Sequence, residues 1–324
     1  MKISFLLSLT YILITFCNLN AQKQKLKVST WNIEHLGDAG RGFPEIYNQF
    51  PMRTDEQLNA IASLIKDTLN LDIVAIQEVS LSKTYNGKSY SNELYQITQA
   101  LGDDWNYYLA SVDPKIREPD MQNAFIYNTA KVELASVFEM PVPDYNVGPK
   151  SLFDRVPLVG YFKSTNSKVK NPGFVIVNLH LASGKDNDEN HLAAMVMVEQ
   201  NLSYYMGQNH ISNREQDRII LGDFNDNPHQ LKSNGEPAFI QTLYNYMELK
   251  GYKDYVDQSF ESTRMSKNFN SIIDHILVKK QLHDNIREAK ATMYLPPDRS
   301  DEGFKKWRAT YSDHFPMYIE LLMK

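Results

Sequence analysis

One cysteine, Cys17, is all that 324 residues contain. That count excludes a disulfide framework and a thiolate metal site. The chain also lacks a surplus of positive charge: 34 Lys and Arg stand against 39 Asp and Glu, a net −5. A protein that coats nucleic acid through a broad basic face carries the opposite balance. An enzyme that grips only a few phosphates during turnover needs no such face. No internal repeat, low-complexity tract or long flexible linker breaks the sequence. Long apolar runs are missing as well, with one exception at the start.

That exception is Ile3 to Phe16, mostly apolar behind Lys2, followed by Asn18-Leu19-Asn20-Ala21. A short positive start, an apolar stretch and a small residue read as a signal peptide over residues 1–21, cut after Ala21. The run is shorter than the ~20 residues needed to cross a bilayer. Phe16 is too bulky beside Cys17 for a lipid-anchoring motif. The expectation is a secreted or periplasmic protein whose catalytic domain occupies residues 22–324. Hydrophobic residues at 42% and charged residues at 23% supply that domain with a sizeable core.

Short apolar runs alternate with helical stretches. Leu26 to Ile33, Asp72 to Gln77, Leu158 to Phe162, Phe174 to Leu181, Arg218 to Leu221, Ile272 to Val278 and Met317 to Leu322 read as strands. Ala124 to Tyr127 and Val132 to Phe138 read as a strand pair. Leu58, Ile61, Leu64 and Ile65 give Thr54 to Leu69 a helical period, and His191 to Met206 forms a second helix. Acids, amides and histidines recur where these strands end: Asn32, Glu78, His180, Asp223 with Asn225, Asp274, and Asp313 with His314. A charged group closing a buried strand sits at the edge of a core, and an unpaired one there is costly. Several such ends meeting on one side of a sheet make a site.

The chemistry of that set is specific. Asn32, Glu78, Asp223, Asn225 and Asp313 offer hard oxygen, which suits Mg²⁺, with Mn²⁺ or Ca²⁺ as alternatives; Zn²⁺ favours more histidine or cysteine. His180 and His314 suit proton transfer near neutral pH. Arg155 offers a planar fork for phosphate. Together they suit in-line attack of water on a phosphate ester. Other polar residues read differently. His191, His210, His229 and His283 are structural or solvated, and His275 packs or makes a supporting hydrogen bond. The acidic run Asp186 to Asn190 is a solvated loop, and Met195 and Met197 fill core gaps.

The motifs Trp31-Asn32-Ile33-Glu34, Gln77-Glu78-Val79, Asn178-Leu179-His180-Leu181, Leu221-Gly222-Asp223-Phe224-Asn225, Ile273-Asp274-His275-Ile276 and Ser312-Asp313-His314-Phe315-Pro316 follow one another in the order of the endonuclease/exonuclease/phosphatase superfamily. The chain resembles that superfamily from Trp31 to Pro316. Phe153-Asp154-Arg155-Val156-Pro157 is similar to the arginine-proline segment of pancreatic-type deoxyribonucleases. The resemblance implies a four-layer α-β-β-α sandwich, two packed mixed sheets flanked by helices. It implies a metal held by Glu78, Asn32 and Asp313, and catalysis by His180, Asp223, Asn225 and an Asp274–His314 dyad. Arg155, Asn225 and His180 would hold the substrate phosphate. Deoxyribonuclease-like members often support the second histidine with a glutamate where this chain has Met121; Glu118 or Asp120 could replace it.

The function so implied is a secreted metal-dependent phosphodiesterase, a nuclease acting on DNA or RNA, working as a monomer without stable membrane association. A sphingomyelinase-like lipid phosphodiesterase is the alternative. It needs an exposed apolar hairpin, for which only Tyr145 and Met293 to Pro297 are candidates. Inositol-polyphosphate phosphatases carry different residues around Asp223 and Asp274. A binding module without activity has no need of these acids and histidines.

Overall fold

The computed structural model describes residues 23–37, 52–85, 88–111, 121–141, 152–153, 155–183, 188–212, 217–226, 240–257, 259–260, 262–265 and 271–324. Two six-stranded sheets dominate it. The first runs in the order β13 (Thr292–Met293), β14 (Met317–Met323), β1 (Gln24–Leu36), β2 (Ile73–Ser80), β6 (Met121–Asn128), β5 (Trp105–Leu109). The second runs β11 (Tyr252–Asp254), β12 (Asp274–Lys279), β10 (Arg218–Asp223), β9 (Gly173–His180), β8 (Leu158–Ser164), β7 (Val132–Glu139). Each is mixed, with one parallel pair at its centre: β1 beside β2, and β9 beside β10. A separate hairpin joins β3 (Lys83–Tyr85) to β4 (Lys88–Tyr90).

The helices cover the outer faces. Trp31, Ile33, Val74 and Ile76 pack under α1 (Asp55–Ser63), α2 (Asn92–Leu101) and α5 (Asp301–Thr310) through Ile61, Leu94, Ile97 and Trp307. On the other side Val175, Val177, Ile220 and Leu277 meet α3 (Asp188–Gln208) and α4 (Ile240–Leu249) through Met195, Val198, Leu202, Leu243 and Met247. Between the sheets lie Leu26, Val28, Ile73, Ala75, Phe125, Phe162, Phe174, Ile176, Ile219, Leu221 and Ile276. The result is the four-layer sandwich expected. Each large aliphatic side chain so buried contributes roughly 1.5–3 kcal/mol. Met195 is a buried core residue, as read from the sequence.

Several sequence expectations change: Asp188 to Asn190, read as part of a loop, opens α3, and the strand read as ending at Ile33 runs on to Leu36. Ala124 to Tyr127 and Val132 to Phe138 are strands, but not a pair: β6 belongs to the first sheet and β7 to the second. Phe125, Tyr127 and Val132 all enter the space between the sheets, so the turn after Asn128 is a corner from one layer to the other. The helix over Thr54 to Leu69 is α1 plus a wider π-helical turn, Leu64–Thr68. Thr54 and Gln57 close its start with reciprocal hydrogen bonds. Finally, β2 continues through Glu78 to Ser80, where the sequence reading ended it.

Side-chain alternation explains where the site forms. Residues two apart share a face of a sheet. The inward row of β1 reads Leu26, Val28, Thr30, Asn32; that of β9 reads Phe174, Ile176, Asn178, His180; that of β10 reads Ile219, Leu221, Asp223. In β12, which runs the other way, it reads Asp274, Ile276, Val278. Each row is apolar at one end and polar at the other, and all polar ends coincide. Beneath them a hydrogen-bonded layer crosses the sheets. Gln77 Nε2 donates to Asn178 Oδ1 (2.7 Å), and Asn178 Nδ2 donates to the carbonyls of Ile76 (3.0 Å) and Ala124 (2.9 Å).

Candidate active site

Two bulges aim the acids. Register shifts in β1 between Asn32 and Leu36, and in β2 between Ile76 and Val79. Such an irregularity re-aims a side chain and breaks the two-residue period. Within the bulges Glu34, His35 and Glu78 have positive φ, at 50°, 53° and 64°. Asn225, at 51°, makes four of the six non-glycine residues with positive φ among the described residues, Asn70 and His210 being the two outside the site. Left-handed backbone at non-glycine residues stores strain and collects at functional sites.

The bulged strands bring Asn32, Glu78 and Asp223 together. Asn32 Nδ2 donates to Glu78 Oε1 (3.0 Å) and to Asp223 Oδ2 (2.9 Å). The backbone N–H of His35 donates to Glu78 Oε2 (3.2 Å). Arg155 Nη2 lies 3.9 Å from Glu78 Oε1, and Arg155 Nη1 donates to His180 Nε2 at 3.2 Å. Asp223 lies between two imidazoles, with His180 Nε2 at 3.6 Å and His314 Nε2 at 3.7 Å. Asn225 hydrogen-bonds through its backbone N–H to Asp223 Oδ1 (2.8 Å), while its side chain donates to the Leu181 carbonyl (2.9 Å). His314 Nδ1 meets Asp274 Oδ2 at 2.8 Å, and Asp313 Oδ1 lies 3.7 Å from His314 Nε2. All residues singled out from the sequence thus gather at one end of the sandwich.

The two histidines differ in proton affinity. Burial, reinforced by the Arg155 guanidinium, pushes His180 well below the usual histidine value. Its Nε2 accepts from Arg155, and its Nδ1 has no hydrogen-bond partner among the described residues. Met121 is buried apolar, and Glu118 and Asp120 lie outside the described residues. For His314, burial opposes charge, but Asp274, Asp313 and Asp223 outweigh it and push the imidazole up to about 10. Burial, then the nearby Asp274, pushes Asp223 up to about 6 against the pull of His314. Burial alone would raise Glu78, yet Arg155, His180, His35 and the Asn32 amide together more than offset it, and the carboxyl is held below the usual range.

Two donor sets compete for a cation. Ligand atoms of Asp223, Asp274 and His314 lie within 4.8 Å of one another. A metal requires neutral imidazole, and His314 holds its proton up to about 10. The oxygen set reasoned from the sequence starts from Glu78, which is ionised. Its side chain is 16% exposed, against 2%, 1% and 3% for Asp223, Asp274 and Asp313. A Mg²⁺-like ion keeps several waters, so the carboxylate with an open face fits best. Asn32 here turns its amide nitrogen, not its oxygen, toward Glu78.

Sequence reasoning missed several neighbours. Glu34 takes Arg308 Nε at 2.9 and 3.1 Å and the backbone N–H of Asp313 at 3.0 Å. Arg264 Nε donates to Asp313 Oδ2 (2.7 Å). Arg53, half-buried, donates to the carbonyls of Ile33 (2.6 Å), Glu34, His35 and Tyr311 and so clamps the β1 bulge. Glu34 had a signal, lying two residues past Asn32; the arginines had none. His275 does support the site: its Nδ1 meets Asp254 Oδ2 at 2.9 Å and its Nε2 contacts the Asp226 and Ile272 carbonyls. His191 pairs with Asp226 at 2.9 Å, a structural role. Met293 to Pro297 is no exposed hairpin, since Tyr294 packs 5.7 Å from Trp307; Tyr145 lies outside the described residues.

The model of the Endonuclease/Exonuclease/phosphatase family matches residues 29–314. The chain belongs to this family. Its members are hydrolases of phosphoester bonds, and the chain is a phosphoesterase of that kind. Human deoxyribonuclease gamma is 24% identical over 267 residues, 82% of this chain and 80% of that protein. Two Bacteroides thetaiotaomicron structures share the endonuclease/exonuclease/phosphatase fold. One, described by the family name, has TM-score 0.58 at 16% identity and covers 94% of this chain and 99% of its own. The other, a mannosyl-6-phosphatase, has TM-score 0.56 at 17% identity, covering 91% and 99%. No described helix is long and apolar enough to cross a membrane.

Proposed function

We propose that the chain is an exported, divalent-metal-dependent nuclease that hydrolyses phosphodiester bonds of DNA or RNA. The observation that carries this reading is the pair of buried imidazoles on either side of Asp223, one pushed down and one pushed up. Environments that drive two titratable groups apart assign base to one and acid to the other. Neutral His180 is the base. When a substrate phosphate takes the Arg155 donor, His180 Nε2 is released to accept the proton of the attacking water. Asp223 and Asn225 orient that water. Protonated His314, held by Asp274, gives its proton to the leaving oxygen as the phosphorus–oxygen bond breaks. A divalent cation, held by Glu78 and Asp313, with Asn32 a ligand only once its amide turns its oxygen to the ion, would supply charge for the phosphoryl oxygens. The likeness to deoxyribonuclease gamma supports nucleic acid as the substrate.

The test is purified protein with Mg²⁺, Mn²⁺ or Ca²⁺ against plasmid DNA, RNA, sphingomyelin and bis-p-nitrophenyl phosphate. Cleavage of a nucleic acid, lost in EDTA, is the expected result. Glu78→Ala should lower kcat by about a hundredfold or more. Undiminished cleavage in EDTA overturns the metal, and sphingomyelin hydrolysis without nucleic-acid cleavage replaces the nuclease by a lipid phosphodiesterase.

A further inference from the structure

Two guanidinium groups stand at the mouth of the site on the His314 side. Arg264 and Arg308 each leave 46% of the side chain exposed, while the carboxylates they grip, Asp313 and Glu34, are buried at 3% and 8%. Arg264 uses only Nε, on Asp313 Oδ2 at 2.7 Å; its two terminal nitrogens have no hydrogen-bond partner among the described residues. Arg308 spends Nε and Nη2 on Glu34, and its Nη2 also lies 3.9 Å from Asp313 Oδ2. The backbone holds both close to the chemistry. Arg264 bridges His314 across an isolated β-bridge, and Arg308 stands in the last turn of α5. Asp313, which touches Arg264 through one oxygen, lies 3.7 Å from His314 Nε2 through the other.

We propose that Arg264 and Arg308 form a second anion subsite, which takes a backbone phosphate adjoining the scissile one in an oligonucleotide strand. It rests on the nuclease reading and deepens it. Arg155, buried on the opposite wall beside His180, serves the scissile phosphate. Each pair joins a buried carboxylate to a half-exposed arginine, so the acid stays charged and paired while part of the guanidinium is left to solvent. What the anchoring does is fix the planar forks with spare N–H groups toward solvent. Arginine in that state matches two phosphate oxygens at once and loses little side-chain entropy on binding.

The test measures binding of a fluorescent, cleavage-resistant phosphorothioate oligothymidine by anisotropy across a salt series, beside KM for bis-p-nitrophenyl phosphate, which has one phosphate. Variants are Arg264→Gln, Arg308→Gln and the lysine forms of each, with thermal melting as the check on folding. Each glutamine variant should weaken oligothymidine binding about tenfold and lower the slope of log Kd against log salt by about one. Its effect on KM for the small diester should be several-fold less. Lysine forms keep the charge but lose the fork, so they should keep the salt slope with intermediate affinity. Folded glutamine variants with unaltered affinity and slope overturn the subsite, as do equal losses on both substrates. If the glutamine forms unfold, lysine forms with full affinity overturn it. Tight, salt-dependent binding by a wild type that cleaves no nucleic acid refutes the nuclease reading alone. Oligothymidine bound no better than thymidine monophosphate refutes the subsite.

Discussion

His180 and His314 lie 3.6 and 3.7 Å from the same carboxylate oxygen, yet one sheds its proton and the other keeps it. The difference is local: an arginine faces the first, and three aspartates face the second. The second has a measurable consequence for stability. Unfolded, His314 titrates near the model-peptide value of about 6.5; folded, near about 10. A group raised in this way contributes stability that is complete below the unfolded value and is lost as pH climbs through the folded one. The comparison is the wild type against Asp274→Asn/His314→Asn, both in EDTA. The wild-type advantage in Tm should be greatest near pH 6.5 and shrink steadily toward pH 10. An advantage that stays flat or grows across that window would show that the two residues are not an ion pair.

At the scale of strands and loops, Gly222 governs how Asp223 is presented. Its φ is +143°, and a Cβ there would sit 1.9 Å from the Leu179 carbonyl oxygen of the neighbouring strand. Gly222→Ala should cost more than the roughly 1–3 kcal/mol of backbone strain alone, because the clash falls on a rigid ladder. Denaturant unfolding measures it; a loss below about 1 kcal/mol would mean that β10 can move aside. Polar residues were legible because polarity after an apolar run is conspicuous, which exposed His180, Asp223 and Asp274 at strand ends, His314 shortly before β14, and Asn32 inside β1. The bulges were not, since an extra residue alters register without altering composition; Glu78 therefore looked like a strand's end when it is the middle of one. Nor could the crossing from β6 to β7 be read, because both strands carry inward apolar rows whichever sheet they join. Arg53, Arg264 and Arg308 stayed hidden because an isolated arginine in a loop or helix looks like ordinary solvated charge until its acceptor, a backbone carbonyl for Arg53 and a carboxylate for the other two, up to hundreds of positions away, is folded beside it.

At the scale of the whole chain, residues 1–21 carry the export proposal and lie outside the described residues. Protein recovered from outside the producing cell should begin at or near Gln22 on N-terminal sequencing. A chain beginning at a lipid-modified Cys17, or retaining Met1, would overturn the cleavage reading. The cysteine-free remainder should then melt alike with and without a thiol reductant.

Strand order adds a consequence for the chain's birth. β1 pairs along its length with β14, from Gln24 opposite Met323 to Thr30 opposite Met317. Asp313 and His314 directly precede that last strand. A nascent chain from which that strand has not yet emerged has neither the β1–β14 pairing nor the dyad histidine. Joining segments so far apart in sequence is slow, because the loop entropy is lost before the contacts form. Synthesis and folding are thereby ordered in time: neither the first sheet nor the site is complete until the segment from Asp313 to Met323 has joined them.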